Sequence, residues 1–196
     1  MPLDFLVSGL ASLFGLILVV AIILFGTALL HRVWGEDVES FGPKRVFLGY
    51  PAALAGVLAY SAWDAAAMAK ERIARGILSD AMFYEVLPGW TVYGFTLYAV
   101  AAVFVLATFG VPLIVLSHRL KIASVATSCV LAVGLALSLH GLWFLLVSKN
   151  QWQHAHLFEY YLSTLGETTV LFVITAAAYA LGARLPLLVL HRRGSA

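Results

Sequence analysis

FLVSGLASLFGLILVVAIILFGTALL, residues 5–30, contains no charged side chain. As a helix rising 1.5 Å per residue it would be about 39 Å long, more than the roughly 30 Å hydrocarbon core of a bilayer. Asp4 precedes it, and His31 and Arg32 follow. A cleavable signal peptide fits poorly, because it has an apolar region of about 7–15 residues, a basic leader and a small-residue cleavage site before a polar mature chain. The stretch reads instead as a membrane-spanning helix over about residues 3–30.

The rest of the chain has the same character. Of its 196 residues, 62% are hydrophobic and 11% are charged, with mean hydropathy +0.96. Soluble domains carry roughly 25% charged residues. Four further apolar runs, at about 46–68, 90–116, 122–147 and 168–190, are each long enough to cross a membrane. The expected fold is therefore all-α: one integral membrane domain over residues 1–196, built as a polytopic bundle of five spanning helices with short loops. The lone Cys129 lies inside a span, which rules out a disulfide framework or a thiolate metal cluster. A net charge of +2 without a Lys/Arg-rich block gives no sign of nucleic-acid binding.

Between the runs, VWGEDVESFGPKR (33–45) reads as a polar loop turning at Gly42-Pro43. Beyond Met68, Ile73, Ile77 and Leu78 recur at helical spacing in a charged stretch, which reads as a helical extension leaving the membrane or a short helix on its surface. Pro112 is expected to kink the third span near its end. SHRLK (117–121) is so short that the third and fourth spans should form a tight antiparallel hairpin.

Lys and Arg are enriched in cytoplasmic loops. One side holds Arg32, Lys44, Arg45, Arg119, Lys121, Arg184, Arg192 and Arg193; the other holds Lys70, Arg72, Arg75 and Lys149. That bias places the N-terminus outside and the C-terminus in the cytoplasm, in a membrane such as the bacterial inner membrane. Arg184 beside Pro186 reads as a snorkelling anchor. Trp34, Trp63, Trp90, Trp143, Trp152, Tyr160 and Tyr161 fall near span ends, as interfacial aromatics do.

Helices in lipid associate through small residues that let backbones approach. Ala52, Gly56 and Ala59 offer such a face on the second span; Ala123, Ser124, Thr127, Gly134, Ser138 and Gly141 on the fourth; Ala176, Ala177, Ala180 and Ala183 on the fifth. These faces serve internal packing, self-association or a membrane-protein partner.

Ionisable groups inside a span are costly and commonly mark ion paths or ligand sites. Asp64, His140 and Glu167 lie toward one half of the membrane, with His140 about seven residues, or about 10 Å, from its span end. Glu85 precedes the third span on the same side. Plainer roles are available: Asp64 can pair with Lys70 or a hydroxyl, His140 can bond a neighbouring helix, and Glu167 can favour a helix N-terminus. The loop QWQHAHLFEYY (151–161) adds His154, His156 and Glu159 as candidate metal ligands. In a helix His156 and Glu159 share a face while His154 is displaced; in an extended segment the two histidines point together. Either way ligands are short of the three or four that zinc or copper takes, and an interfacial loop is the simpler reading.

Three functions follow. Short loops, small-residue faces and the lack of a self-sufficient catalytic set favour an integral subunit or accessory protein of a larger membrane complex with no cofactor, a metal ion at the histidine stretch being the alternative. A small transporter or homo-oligomeric channel would use Asp64, His140 and Glu167. A metal- or haem-binding redox subunit is less well supported, since bis-histidine ligation needs two facing histidines at one depth and His140 alone lies deep. Convergence of Asp64, His140 and Glu167 on one cavity would favour transport; scatter would favour a partner interface.

Overall fold

The computed structural model describes the backbone of residues 3–148 and 157–189, with side chains described from 14 to 146, at 159 and from 161 to 189. In order come α1 (Leu3–Phe41), α2 (Pro43–Ala74), α3 (Phe83–Val105), a π-helical turn (Leu106–Gly110), α4 (Val111–Arg119), α5 (Val125–Ser148) and α6 (Leu157–Gly182). With α3, the π turn and α4 forming one continuous crossing, five helices are long and apolar enough to span a membrane. Helices are the form such runs must take in lipid, because each backbone N–H and C=O is satisfied within its own segment.

The helices are not arranged in chain order. α2 is central, packed along α3 on one side and α6 on the other; α1 lies against α3, and α5 lies against α6. The α2–α6 seam shows how small residues set this order. A Cβ on Gly49 would overlap the ring of Tyr179, one on Gly182 would run into Ala52 and the Leu48 carbonyl, and one on Gly56 would come within 3.0 Å of Ala178. The Tyr179 hydroxyl completes the seam by donating to the Val46 carbonyl at 3.0 Å. Of the face expected on the second span, Ala52 and Gly56 pack at this seam while Ala59 is exposed; on the fifth span the seam uses Ala178, Tyr179 and Gly182 in place of the alanines expected.

Several sequence expectations need correction. Residues 33–41 are helical, not loop: α1 bends at Trp34 (φ −131°, ψ 36°) and continues to Phe41, and Gly42 alone (φ +101°) separates it from Pro43 at the start of α2. Val38 and Phe41, three apart, are both buried, Phe41 packs edge-on against His118, and Asp37 approaches Arg119 at 3.6 Å. This extra turn thus seals the end of α4. The charged stretch after Met68 is the helical extension and not a separate surface helix, since α2 runs through to Ala74 and closes at Gly76 (φ +70°). Ile77 and Leu78 lie beyond that closure, and Ile77 is exposed.

Where the sequence predicts a kink at Pro112, the structure has a π-helical turn just before it, over Leu106–Gly110. Proline has no N–H and its ring crowds the carbonyl four residues back, here Thr108. The chain widens into the π turn, and the Val111 amide donates to Leu106, five residues away. Nor do the third and fourth spans form a tight hairpin. α5 meets α4 only near their connection and then packs along α6. Its first amides explain the divergence: Val125 N–H donates to the Pro186 carbonyl at 2.9 Å and Ala126 N–H to Leu187 at 3.2 Å, tying the start of α5 to the segment after α6.

Candidate functional site

Four uncharged stretches separate the basic end of the bundle from its next polar level: Val46–Trp63 before Asp64, Ala99–His118 after Tyr98, Ile122–Leu139 before His140, and Thr168–Ala183 after Glu167. At 1.5 Å per residue these measure about 24–30 Å, close to one hydrocarbon thickness. Eight residues further out, the Arg72 guanidinium stacks over Trp90 at 4.8 Å; that adds about 12 Å and reaches headgroup depth. Asp64, Tyr98, His140 and Glu167 therefore form a belt at the edge of the hydrocarbon layer. α5 is described to Ser148, eight residues beyond His140, close to the span end expected from the sequence.

Within the belt there are two clusters. At the seam of α2, α3 and α6, the half-buried Tyr98 hydroxyl donates to Asp64 Oδ2 at 2.8 Å. Buried Tyr60, one helical turn before Asp64, donates to the Glu167 backbone carbonyl at 3.4 Å and stands edge-on to Tyr98, with ring centres 5.4 Å apart. At the seam of α5 and α6, His140 Nε2 lies 3.1 Å from Thr164 Oγ1 and 3.3 Å from the Tyr161 carbonyl, with its ring between Trp143 and Tyr161.

Asp64 is thus tied to Tyr98, and Tyr60 reaches the backbone of Glu167, whose side chain is exposed, while His140 belongs to the neighbouring seam. None of Asp64, Glu167 and His140 lines the cavities between α3, α4, α5 and α6, between α1, α3 and α4, or at the α2–α3 turn. Glu85 is exposed in the first turn of α3, thirteen residues or about 20 Å before Tyr98, and is not part of either cluster. Glu159 is exposed in the first turn of α6. His154 and His156 lie outside the described residues. Among the described residues no three His, Cys, Asp or Glu side chains come close enough to hold a metal ion.

Tyr60 and Tyr98 are the members that a search for charged groups overlooks. The available signal was the i, i+4 placement of Tyr60 and Asp64 on one helical face; Tyr98, in an apolar run, gave none.

One small-residue face remains without an inner role. A Cβ on Gly134 or Gly141 of α5 would meet nothing within 4 Å, and Ser138 between them is exposed, its hydroxyl turned back to the Gly134 carbonyl. Val130, Leu137 and Leu145 around this ridge are 71%, 49% and 62% exposed. Comparison with known families, with characterised proteins and with solved structures found no match. The class defined by the fold is a polytopic membrane helical bundle.

Proposed function

We propose that the protein is an integral subunit or accessory protein of a larger membrane complex, bound to its partner through the outer face of α5. The observation that carries this is the ridge of Gly134, Ser138 and Gly141, spaced four and three residues apart on the side of α5 that faces away from the bundle. Small residues at this spacing are how helices approach one another in lipid. The same chain uses such residues internally, at Gly49 and Gly56 against α6. The positive-inside bias of the short loops supports an N-terminus outside and a C-terminus in the cytoplasm.

The polar belt supports the same reading. Tyr98 bonds Asp64 across one helix seam and His140 bonds Thr164 across another, which is how polar side chains join helices in membranes. Transport is the second reading, favoured by the part-buried Asp64 carboxylate held by Tyr98 beside Tyr60 at the seam of α2, α3 and α6. It would need a water path to that seam.

Site-specific photo-crosslinking in native membranes tests the proposal. A photoreactive residue at Leu137 or Leu145 is expected to yield a discrete protein adduct, and one at Phe47, exposed on α2, only lipid adducts. Lipid adducts alone from both α5 positions would contradict it.

A further inference from the structure

Between α3 and α4 on one side and α5 on the other, above a floor of α6, lies an apolar slot lined by Leu106, Gly110, Ile114, Leu131, Leu135 and Phe172 among others. It encloses about 440 Å3 of empty space with its open side counted, between closely spaced walls. That is the profile of a narrow groove. Its two polar wall residues, Ser128 and Thr175, return their hydroxyls to the carbonyls of Ser124 and Leu171 at 2.9 and 2.7 Å. The slot therefore presents hydrocarbon.

Its mouth is marked by an independent feature. α4 ends with the Lys121 amide bonded to the His118 carbonyl and the Ile122 amide to Ser117; α6 ends with Arg184 bonded to Leu181 and Leu185 to Ala180. Both are Schellman closures, whose penultimate position takes a left-handed backbone and is usually glycine. The far end of α2 follows that rule with Gly76. The two closures at the basic end instead use Lys121 (φ 59°) and Arg184 (φ 58°), and among the described residues these are the only non-glycines with positive φ.

A left-handed backbone at a residue with a Cβ costs roughly 1–2 kcal/mol, and strained positions of this kind concentrate at ligand sites. Interaction with the helix dipole does not explain the choice, since a cation anywhere in the last turn would serve it. The Val125–Pro186 and Ala126–Leu187 hydrogen bonds draw the two closures to the same side of the slot. Both side chains are exposed, and neither makes an ion pair among the described residues, whereas nearby Arg119 is engaged by Asp37.

We infer that the slot holds one acyl chain of an anionic phospholipid whose phosphate is met by Lys121 and Arg184. The depths agree. From the start of α5 at Val125, Ser128 and Leu135 lie about 5 and 15 Å along the helix, and Phe172 lies about 15 Å along α6 from its end at Gly182, which spans the acyl region of one leaflet about 15 Å deep. Basic pockets between spanning helices recognise anionic headgroups in this way, and the greasy slot adds a chain that a soluble phosphate lacks.

The test uses the purified full chain in mild detergent, with intact mass recorded after adding equimolar phosphatidylglycerol and phosphatidylcholine of identical chains. One phosphatidylglycerol per chain is expected to be retained in preference to phosphatidylcholine. The double variant Lys121→Gly/Arg184→Gly should reduce that preference about tenfold or more without lowering Tm, because glycine suits both backbone positions. Ala132→Leu, which narrows the slot, should lower retention of both lipids. Equal retention of the two lipids, or an unchanged preference in the double variant, overturns the headgroup assignment; unchanged retention in Ala132→Leu overturns the place of the chain.

Discussion

Tyr98 gives Asp64 a hydrogen-bond donor at the edge of the hydrocarbon layer, where a half-buried carboxylate without a partner is costly. Tyr98→Phe should therefore destabilise the bundle by about 1 kcal/mol, within the range of interhelical bonds in membranes. Adding Asp64→Leu to Tyr98→Phe should recover most of that loss, since removing both partners leaves no orphan. Thermal unfolding of the two single variants and the double in one detergent checks this, and additive losses would show the pair to be uncoupled. Gly49 is decided at the same scale. Its Cβ would occupy the space of the Tyr179 ring, so Gly49→Leu should cost about 1–3 kcal/mol or more by overpacking. Gly141→Leu, with nothing within 4 Å of the added Cβ, should leave Tm of the isolated chain nearly unchanged.

At the scale of elements, the helix ends carry the contrast between economy of backbone and placement of charge. Gly76 closes α2 in the conformation that glycine favours, whereas α4 and α6 close on Lys121 and Arg184. Each of Lys121→Gly and Arg184→Gly alone should raise stability by up to about 1 kcal/mol, read as a higher Tm; a lower Tm would mean that the side chains hold the loops in place. The elements also show what could be read from the sequence. An uncharged run such as Phe5–Leu30 has one outcome in lipid, a helix, so the five crossings were legible from composition and length. Their true ends were not. The stretch from Glu36 to Phe41 looks polar in a linear window, yet Val38 and Phe41 fall on one face and bury it, and hydropathy averaged along the chain hides that periodicity. The π turn was half legible: Pro112 announced a disruption, but whether the chain kinks or widens depends on the neighbours of Leu106–Gly110.

For the whole molecule, order of packing was the information missing from the sequence. The short SHRLK connection suggested that α4 and α5 run together, but the hydrogen bonds from Val125 and Ala126 to the segment after α6 draw α5 away and open the slot. For the same reason the candidate residues could be placed in one half of the membrane but not given partners: Asp64 meets Tyr98, and His140 bonds Thr164 instead, only because α2 is central and α5 peripheral. That peripheral position leaves the Gly134–Gly141 ridge open, and the account turns on what covers it. The most direct measurement is the intact mass of the full chain extracted in a mild detergent, compared between the wild type and Gly141→Leu. The account predicts a heavier assembly containing another polypeptide at fixed stoichiometry, lost in Gly141→Leu although that chain stays folded. A wild-type chain recovered alone or only with copies of itself, or an assembly indifferent to Gly141→Leu, would contradict it.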